Sequence, residues 1–344
     1  MLQLSHCISS LPFQYPFTTS KGTKDCQKSL VVELTWGPGI KAYGEAPAID
    51  YYNVTVEQIQ SDLESKRKFI ESFSFMDPKR FWHFLHHLFP ANPFLVSALD
   101  MAGWDLYGKM KRKSLSDLWN SNANSSLQTD YTIGIDTIDM MLNKIDQHPA
   151  PIYKIKVGTA DDLEKLVQIR KRTNSVIRID ANAAWSFDQA LVNLPILNQL
   201  HIELIEQPLS KDNYDGTAAL RKLTEIPIIA DESCVGFSDI EKCKDAFTGI
   251  NIKLTKCSGI TPALEMIKKA KQLGLTIMLG CMNESSIGTA ALGHLSHMVD
   301  YLDADGPLLL SNDIATGIQY DNFKLTNSQE AGLGIRINSF PISI

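Results

Sequence analysis

Five charged residues stand at the ends of short apolar segments and recur at nearly even spacing along the middle of the chain. They are Lys156, Asp180, Glu206, Asp231 and Lys253, separated by 24, 26, 25 and 22 residues. A parallel β/α unit of one strand, one helix and two loops takes up about this length. Because the segments are rich in β-branched residues, the spacing predicts successive buried strands whose charged ends meet at one edge of a barrel.

The three acidic residues of this set could form a metal site. Carboxylate oxygens from Asp180, Glu206 and Asp231 suit a hard divalent cation, Mg²⁺ before Mn²⁺ or Ca²⁺, and no His or Cys accompanies them as zinc would require. Lys156 and Lys253 flank the trio, as is needed to move a proton from one face of a carbon to the other. Singly, such residues are more often helix caps or surface charges, but five in register favour catalysis, because unpaired buried charges are costly.

The motifs at these positions resemble those of the muconate-lactonizing subgroup of the enolase superfamily. They follow the family's order over most of the predicted barrel: Lys154-x-Lys156, DANAAW at Asp180, EQP at Glu206, ADES at Asp231 and NIKLTKCSG at Lys253. The resemblance implies an α/β fold, a modified TIM barrel (β/α)7β with an N-terminal α+β capping domain completed by the C-terminal segment. It also implies one Mg²⁺ per subunit, with Mn²⁺ as an alternative.

The resemblance makes Lys156 and Lys253 the two catalytic bases. A carboxylate substrate chelated by the cation gains an acidic α-proton, because the metal stabilises the resulting enediolate. One lysine would remove that proton and the other would return one to the opposite face. Lys154 would assist, since a like charge two residues away favours loss of a proton from Lys156. An ion-pair role for Lys154 inside the barrel is equally compatible with its position.

A pair of acidic residues restricts the expected class of substrate. Asp303 and Asp305 in YLDADGPLL resemble the Asp-x-Asp of dipeptide epimerases, which holds the substrate's α-ammonium group, although an isolated Asp-x-Asp-Gly is typical of a turn. The motif GCMNES is also similar to that group. The predicted substrate-binding residues are Asp303, Asp305, Thr132, Lys154, Cys281 and Met282. The resemblance thus implies an isomerase that inverts the α-carbon of the C-terminal residue of a dipeptide.

Other functions stay open at this point. The subgroup also contains N-acylamino-acid racemases and o-succinylbenzoate synthases, whose substrates carry no free ammonium group. A pyridoxal-phosphate barrel enzyme with a lysine Schiff base and a barrel without catalytic activity are alternatives of other classes. In the family, a loop after the first strand closes over the substrate. Here that loop would be residues 17–24, with Gly22 as a hinge; it lacks an Arg to bind a glutamate side chain, although Lys21 and Lys24 could substitute.

Three segments are predicted: a capping domain at 1–122, the barrel at 123–314 and a C-terminal segment at 315–344 that returns to the cap. Apolar alternation predicts strands at 29–37 and 40–46, and helical periodicity predicts helices at 54–73, 77–89 and 93–109. The first, seventh and eighth barrel strands are expected at 130–136, 276–285 and 301–309.

Local signals also predict where several barrel helices begin and end. Ser186 with Gln189, and Ser238 with Glu241, match the capping-box pattern. Thr261 before Pro262 predicts an N-cap followed by proline at the first helical position. Gly274 predicts the end of the helix that begins there.

Composition sets the broad class. The formal net charge is −6, which argues against a nucleic-acid partner. No basic segment precedes an apolar core at the start of the chain, and no apolar run is long enough for a membrane span, so we expect a cytoplasmic protein with no membrane partner. The six cysteines show no paired spacing, and we expect reduced thiols. We also expect a homo-oligomer.

Overall fold

The computed structural model describes residues 2–119 and 127–338. The predicted boundary between residues 122 and 123 lies outside this range, and the boundary at residue 314 stays a prediction. Among the described residues, an N-terminal α+β unit precedes a barrel of eight parallel strands. The predicted fold class is therefore confirmed.

The capping domain begins with a three-stranded antiparallel meander. Its strands are β1 (Leu2–Thr19), β2 (Gly22–Trp36) and β3 (Ile40–Pro47). The prediction of a loop at 17–24 is wrong: Phe17 pairs with Lys24, and Thr19 pairs with Gly22, so this segment is the tip of a long hairpin. The β-branched threonines favour extended backbone, and Gly22, with φ of 134°, supplies the tight turn.

Four α-helices follow the meander in the part of the cap that the structure describes. They are α1 (Val56–Glu71), α2 (Pro78–Leu88), α3 (Pro93–Lys111) and α4 (Leu115–Leu118). The first three lie within two residues of the predicted ends, because Thr55, Asp77 and Asn92 each accept a hydrogen bond from a backbone N–H in the first turn. Helix α3 is buried along almost its whole length and packs against β3, which makes it the central element of the cap.

The barrel strands follow one another in sequence order around the sheet. They are β4 (Tyr131–Ile133), β5 (Ile152–Lys156), β6 (Val176–Asp180), β7 (Ile202–Glu206), β8 (Ile228–Ala230), β9 (Gly249–Ile252), β10 (Thr276–Gly280) and β11 (Tyr301–Asp303). A parallel bridge between Thr129 and Leu302 brings the last strand back to the first. The first, seventh and eighth strands thus lie where they were predicted.

Helices connect the barrel strands. They are α5 (Ile138–Gln147), α6 (Asp162–Arg172), α7 (Phe187–Gln199), α8 (Tyr214–Arg221), α9 (Ile240–Ala246), α10 (Leu254–Cys257), α11 (Ile260–Gln272), α12 (Ser286–Leu295) and α13 (Gly306–Leu309). The predicted capping box of Ser186 and Gln189 is confirmed, with both reciprocal hydrogen bonds present. Gly274 follows the end of α11 with φ of 69°, as predicted.

Two predicted helix starts are wrong. Ser238 lies inside a short 3₁₀ turn, because Asp239 accepts from the backbone N–H groups of Val235 and Gly236 and takes over the capping role. Thr261 lies within α11, one residue after its first residue, and its hydroxyl donates to Asp100 of the capping domain. A contact between residues so distant in the chain overrides the local signal.

The C-terminal segment returns to the capping domain. It forms the short strands β12 (Ala315–Thr316), β13 (Ile318–Asp321), β14 (Lys324–Asn327) and β15 (Arg336–Ile337). Leu333 N donates to Asp105 Oδ1 of α3 at 2.8 Å, and Leu115 N of α4 donates to Gly332 O at 3.1 Å. Among the described residues, no helix has the length and apolar character that a membrane span requires.

Candidate active site

Strand register places three of the predicted residues side by side. Lys156 pairs with Asp180 across β5 and β6, and Asp180 pairs with Glu206 across β6 and β7. Asp231 follows the end of β8, and Lys253 follows β9 directly. Because the carboxyl ends of parallel strands lie at one edge, the spacing seen in the sequence gathers all five side chains at the barrel mouth.

The two predicted bases contact the outer carboxylates of the trio. Lys156 Nζ lies 2.5 Å from Asp180 Oδ2, and Lys253 Nζ lies 2.8 Å from Asp231 Oδ2. Burial opposes ionisation of both carboxyl groups, but the lysine charges lower the pKa of Asp180 and of Asp231 below the usual value. The lysines thus flank the trio along the barrel wall.

Lys154 is a buried ion-pair partner at the centre of the site. Its ammonium nitrogen lies 2.7 Å from Glu206 Oε2, 2.7 Å from Asp303 Oδ2 and 3.4 Å from Asp180 Oδ2. Burial favours the neutral amine, but the charges of Asp303 and Glu206 outweigh it and raise the pKa of Lys154 well above its usual value. Lys154 therefore links the predicted metal ligands to the predicted substrate-binding pair.

The carboxylates of Asp303 and Asp305 are both buried on the barrel side of the site. Thr132 N donates to Asp305 Oδ2 at 2.6 Å, and Cys281 Sγ lies 3.9 Å from Asp305 Oδ1. Burial and then the charge of Asp303 raise the pKa of Asp305 to about 6. At Asp303 burial also opposes ionisation, but Lys154 lowers its pKa. The pair therefore has unequal environments, one carboxylate held by an ammonium group and the other by a backbone N–H.

A cavity of about 190 Å³ lies between the barrel mouth and the capping domain. The capping domain contributes lining residues from the hairpin tip and from the segment after β3, among them Phe17, Lys21, Lys24, Tyr51 and Tyr52. The barrel contributes Lys156, Asp231, Lys253 and all six predicted substrate-binding residues. Asp180 and Glu206 are fully buried and lie behind this lining. The structure thus brings the predicted bases and the predicted substrate-binding residues to one cavity.

Two polar residues that the sequence analysis did not select support the trio from behind. Lys256 Nζ donates to Asp231 Oδ1 at 2.5 Å and also to the backbone oxygens of Asp231, Cys234 and Asn251. Asn251 Nδ2 donates to Glu206 Oε1 at 2.8 Å. The only sequence signal was their presence in NIKLTK, beside Lys253. Their contacts fix the orientation of two of the three carboxylates.

Glu232 is a further cavity residue that was not selected. It follows Asp231 in the chain, and Asn182 Nδ2 lies 3.4 Å from its Oε1. Burial and then the charge of Asp231 raise the pKa of Glu232 to about 8. Its position in ADES, next to a predicted ligand, was the available signal.

The trio fits a hard divalent cation in donor type and burial. Its three carboxylates are no more than 2% exposed, and at Glu206 burial and then the charge of Asp180 raise the pKa above its usual value. Such crowded negative charge favours a cation among the oxygens. In this structure the ammonium groups of Lys154, Lys156 and Lys253 pair with these carboxylates. Among the described residues, a different set of possible metal ligands lies close together. The ligand atoms of Cys281, Asp303 and Asp305 are all within 4.8 Å of one another.

Comparison with known families identifies the fold family. The model of the mandelate racemase / muconate lactonizing enzyme N-terminal domain matches residues 5–119, and the enolase C-terminal domain-like model matches residues 138–340. The chain belongs to the enolase superfamily. The resemblance inferred from the site motifs is therefore confirmed, and the two matches cover both the capping unit and the barrel.

Individual members of this superfamily are similar over nearly the whole chain. An L-Ala-D/L-amino acid epimerase of Flavobacterium johnsoniae is 43% identical over 95% of this chain and 97% of its own length. Among solved structures, a substrate-liganded L-Ala-D/L-Glu epimerase from Bacillus subtilis has a TM-score of 0.93 at 27% identity, covering 98% of this chain and 99% of the other. A dipeptide epimerase from Cytophaga hutchinsonii, complexed with Mg and D-Ala-L-Val, has a TM-score of 0.92 at 26% identity, covering 99% and 97%.

These similarities confirm the predicted class of enzyme, an isomerase of the epimerase and racemase type. The roles of the individual site residues stay predictions, as do the cytoplasmic location and the homo-oligomer. The geometry nevertheless restricts what the site can do, because two lysines, Asp231 and a second carboxylate pair line one cavity, with Asp180 and Glu206 buried behind it.

Proposed function

We propose that the protein is a Mg²⁺-dependent dipeptide epimerase that inverts the α-carbon of the C-terminal residue. One observation carries this proposal: Lys156 and Lys253 flank the trio at a cavity whose barrel wall also carries Asp303 and Asp305. Two-base epimerisation needs a proton-transfer group on each face of one carbon. Recognition of a free dipeptide needs, in addition, a partner for its ammonium group.

The trio would hold the ion. Asp180, Glu206 and Asp231 supply oxygen ligands from three separately anchored strands, and a bound Mg²⁺ supplies stabilisation for negative charge developing on a substrate carboxylate. The chain's own lysines then handle the proton. One amine removes it from the α-carbon, and the ammonium of the other donates a proton from the opposite side.

Asp303 and Asp305 would bind the substrate's N-terminal ammonium group. A dipeptide whose C-terminal carboxylate lies at the trio must place its ammonium group several ångströms away within the same cavity. A buried cation without a partner costs several kcal/mol, and the two aspartates provide negative charge at the cavity wall. A relative that is complexed with Mg and a dipeptide, and is alike over nearly the whole chain, supports a dipeptide as the substrate.

Turnover of free and N-acetylated dipeptides tests the substrate class. We expect the wild type to exchange the α-proton of a free dipeptide in deuterated water and to be much slower with its N-acetyl derivative. The double variant Asp303→Asn with Asp305→Asn should raise KM for free dipeptides at least about tenfold, equivalent to about 1.4 kcal/mol, and should discriminate less against acetylation. Equal wild-type rates on both substrates would instead support an N-acylamino-acid racemase.

A further inference from the structure

The chain segment that follows Lys253 is hydrogen-bonded to the capping domain. Lys253 precedes the short helix α10, and the N–H groups of Lys256 and Cys257 donate to its carbonyl oxygen. The chain then turns through Ser258, with φ of 73°, and Gly259, with φ of 129°, into α11. The turn between α10 and α11 therefore holds the chain on the C-terminal side of Lys253, as strand β9 holds it on the N-terminal side.

Asp100 of α3 binds the start of α11 from outside the barrel. Its Oδ2 accepts from Thr261 N at 2.9 Å, and its Oδ1 accepts from the Thr261 hydroxyl at 2.7 Å. The N–H of Ile260 is also directed at this carboxylate. A Cβ on Gly259 would lie 2.4 Å from Asp100 Oδ2, so the glycine is what permits the close approach. Asp100 is fully buried and belongs to the capping domain, not to the barrel.

Two tryptophans of the capping domain hold the same turn. Trp104 Nε1 donates to the Thr261 hydroxyl at 2.9 Å, and Trp82 Nε1 donates to Ser258 O at 2.9 Å. The hydroxyl of Thr261 thus donates to one cap residue and accepts from another. All of these hydrogen bonds lie on the Lys253 side of the trio and not on the β5 strand that carries Lys156.

A second cap carboxylate makes a comparable contact elsewhere and serves as a control. Glu45 of β3 is fully buried and accepts from the N–H groups of Ser285 and Gly288 at the start of α12. It therefore fastens the cap to the barrel after β10, which carries neither predicted base. Loss of Glu45 should weaken cap docking without acting directly on the Lys253 turn.

We propose that Asp100 is a positioning residue for Lys253, holding the turn that sets the base against the substrate's α-carbon. The inference rests on the proposed two-base epimerisation. A lysine side chain has four rotatable bonds, so its reach is set by its backbone, and a displacement of about 1 Å in a catalytic group can cost about 100-fold in rate. Lys156, on the other side of the trio, does not depend on this contact.

The test compares α-proton exchange from the two C-terminal stereoisomers of one dipeptide in deuterated water. The isomer whose exchange is abolished in Lys253→Ala defines the Lys253-dependent direction. Asp100→Ala should lower exchange from that isomer at least about tenfold more than from the other. Thr261→Val, which keeps side-chain volume and the backbone donor, should produce the same asymmetry at a smaller size, about two- to threefold, and covers the case in which Asp100→Ala does not fold.

Glu45→Ala is the matched control, and any loss it causes should fall equally on both isomers. Equal loss from both isomers in Asp100→Ala or Thr261→Val, accompanied by a similar fall in melting temperature, would show a purely structural role and overturn the inference. Absence of exchange from either isomer in the wild type would instead refute the proposed function itself.

Discussion

At the scale of single residues, Glu206 differs from the other two predicted metal ligands. Burial and the neighbouring Asp180 raise its pKa, whereas lysines lower the pKa values of Asp180 and Asp231. We expect Glu206→Gln to abolish both Mg²⁺ binding, measured by titration calorimetry without substrate, and turnover, because one oxygen ligand and its charge are lost. Glu203→Gln lies on the same strand, where Glu203 pairs with Arg178, and should leave Mg²⁺ binding intact. Full turnover of the wild type in excess EDTA would contradict the metal assignment.

Lys156 and Lys253 are expected to act on opposite faces of the substrate's α-carbon. Lys156→Ala should abolish α-proton exchange starting from one C-terminal stereoisomer, and Lys253→Ala should abolish it from the other, because each amine reaches one face of the carbon. Epimerisation should be lost in both variants. The measurement is deuterium incorporation into each isomer followed by NMR. Survival of both exchanges in either variant would exclude that lysine as a base.

At the scale of elements, the contact between strand β3 and helix α3 is unusually close. A Cβ on Gly44 would lie 1.9 Å from the carbonyl oxygen of Ala98, so the backbones can meet only where no side chain intervenes. We expect Gly44→Ala to lower the free energy of unfolding by about 3 kcal/mol, as measured by urea denaturation. Gly236→Ala is the control, since a Cβ added to Gly236 would meet no atom within 4 Å and its φ is −145°. Equal stability of the two variants would contradict the close packing.

Elements were predictable from the sequence where their signals are local. Thr55 and Asp77 cap helices that begin within two residues of the predicted position, and Ser186 forms its box with Gln189 as expected. The prediction of Thr261 as an N-cap was wrong, because its hydroxyl donates a hydrogen bond to Asp100, 161 residues away in the chain. The long β1–β2 hairpin was also missed at its tip, where pairing between strands, rather than periodicity, decides the structure.

In the candidate site, too, some features were predictable from the sequence and others depend on contacts between distant residues. The even spacing of strand-end charges was enough to predict that Asp180, Glu206 and the two lysines converge, since the barrel repeats one unit. The sequence could not show that Lys256 contacts Asp231, or that Lys154 bridges Glu206 to the substrate-binding pair. Those contacts depend on which way long side chains point inside the barrel, and spacing carries no information on that.

At the scale of the whole molecule, the interface between the capping domain and the barrel contains a titrating carboxyl group, that of Asp100. Asp100 is fully buried. Burial raises the pKa of its carboxyl group from 3.8 to about 7, although hydrogen bonds from Thr261 and Ile260 oppose this rise. The thiol of Cys257 lies nearby. The folded protein therefore binds a proton at Asp100 below about pH 7, whereas the unfolded chain does so only below about pH 3.8. Between these values the folded state holds more protons, so stability falls as pH rises through this window.

Asp100→Asn removes this titration and should remove its share of the pH dependence. We expect the free energy of unfolding of the wild type, relative to that of Asp100→Asn, to fall by on the order of 3 kcal/mol between pH 5 and pH 8, since each pKa unit corresponds to about 1.4 kcal/mol. Urea denaturation at several pH values measures both proteins under the same conditions, and the other carboxylates contribute equally to each curve. Parallel stability curves across this range would show that Asp100 is already ionised at pH 5 in the folded protein. The interface between the domains would then hold a buried charge rather than a neutral carboxyl group.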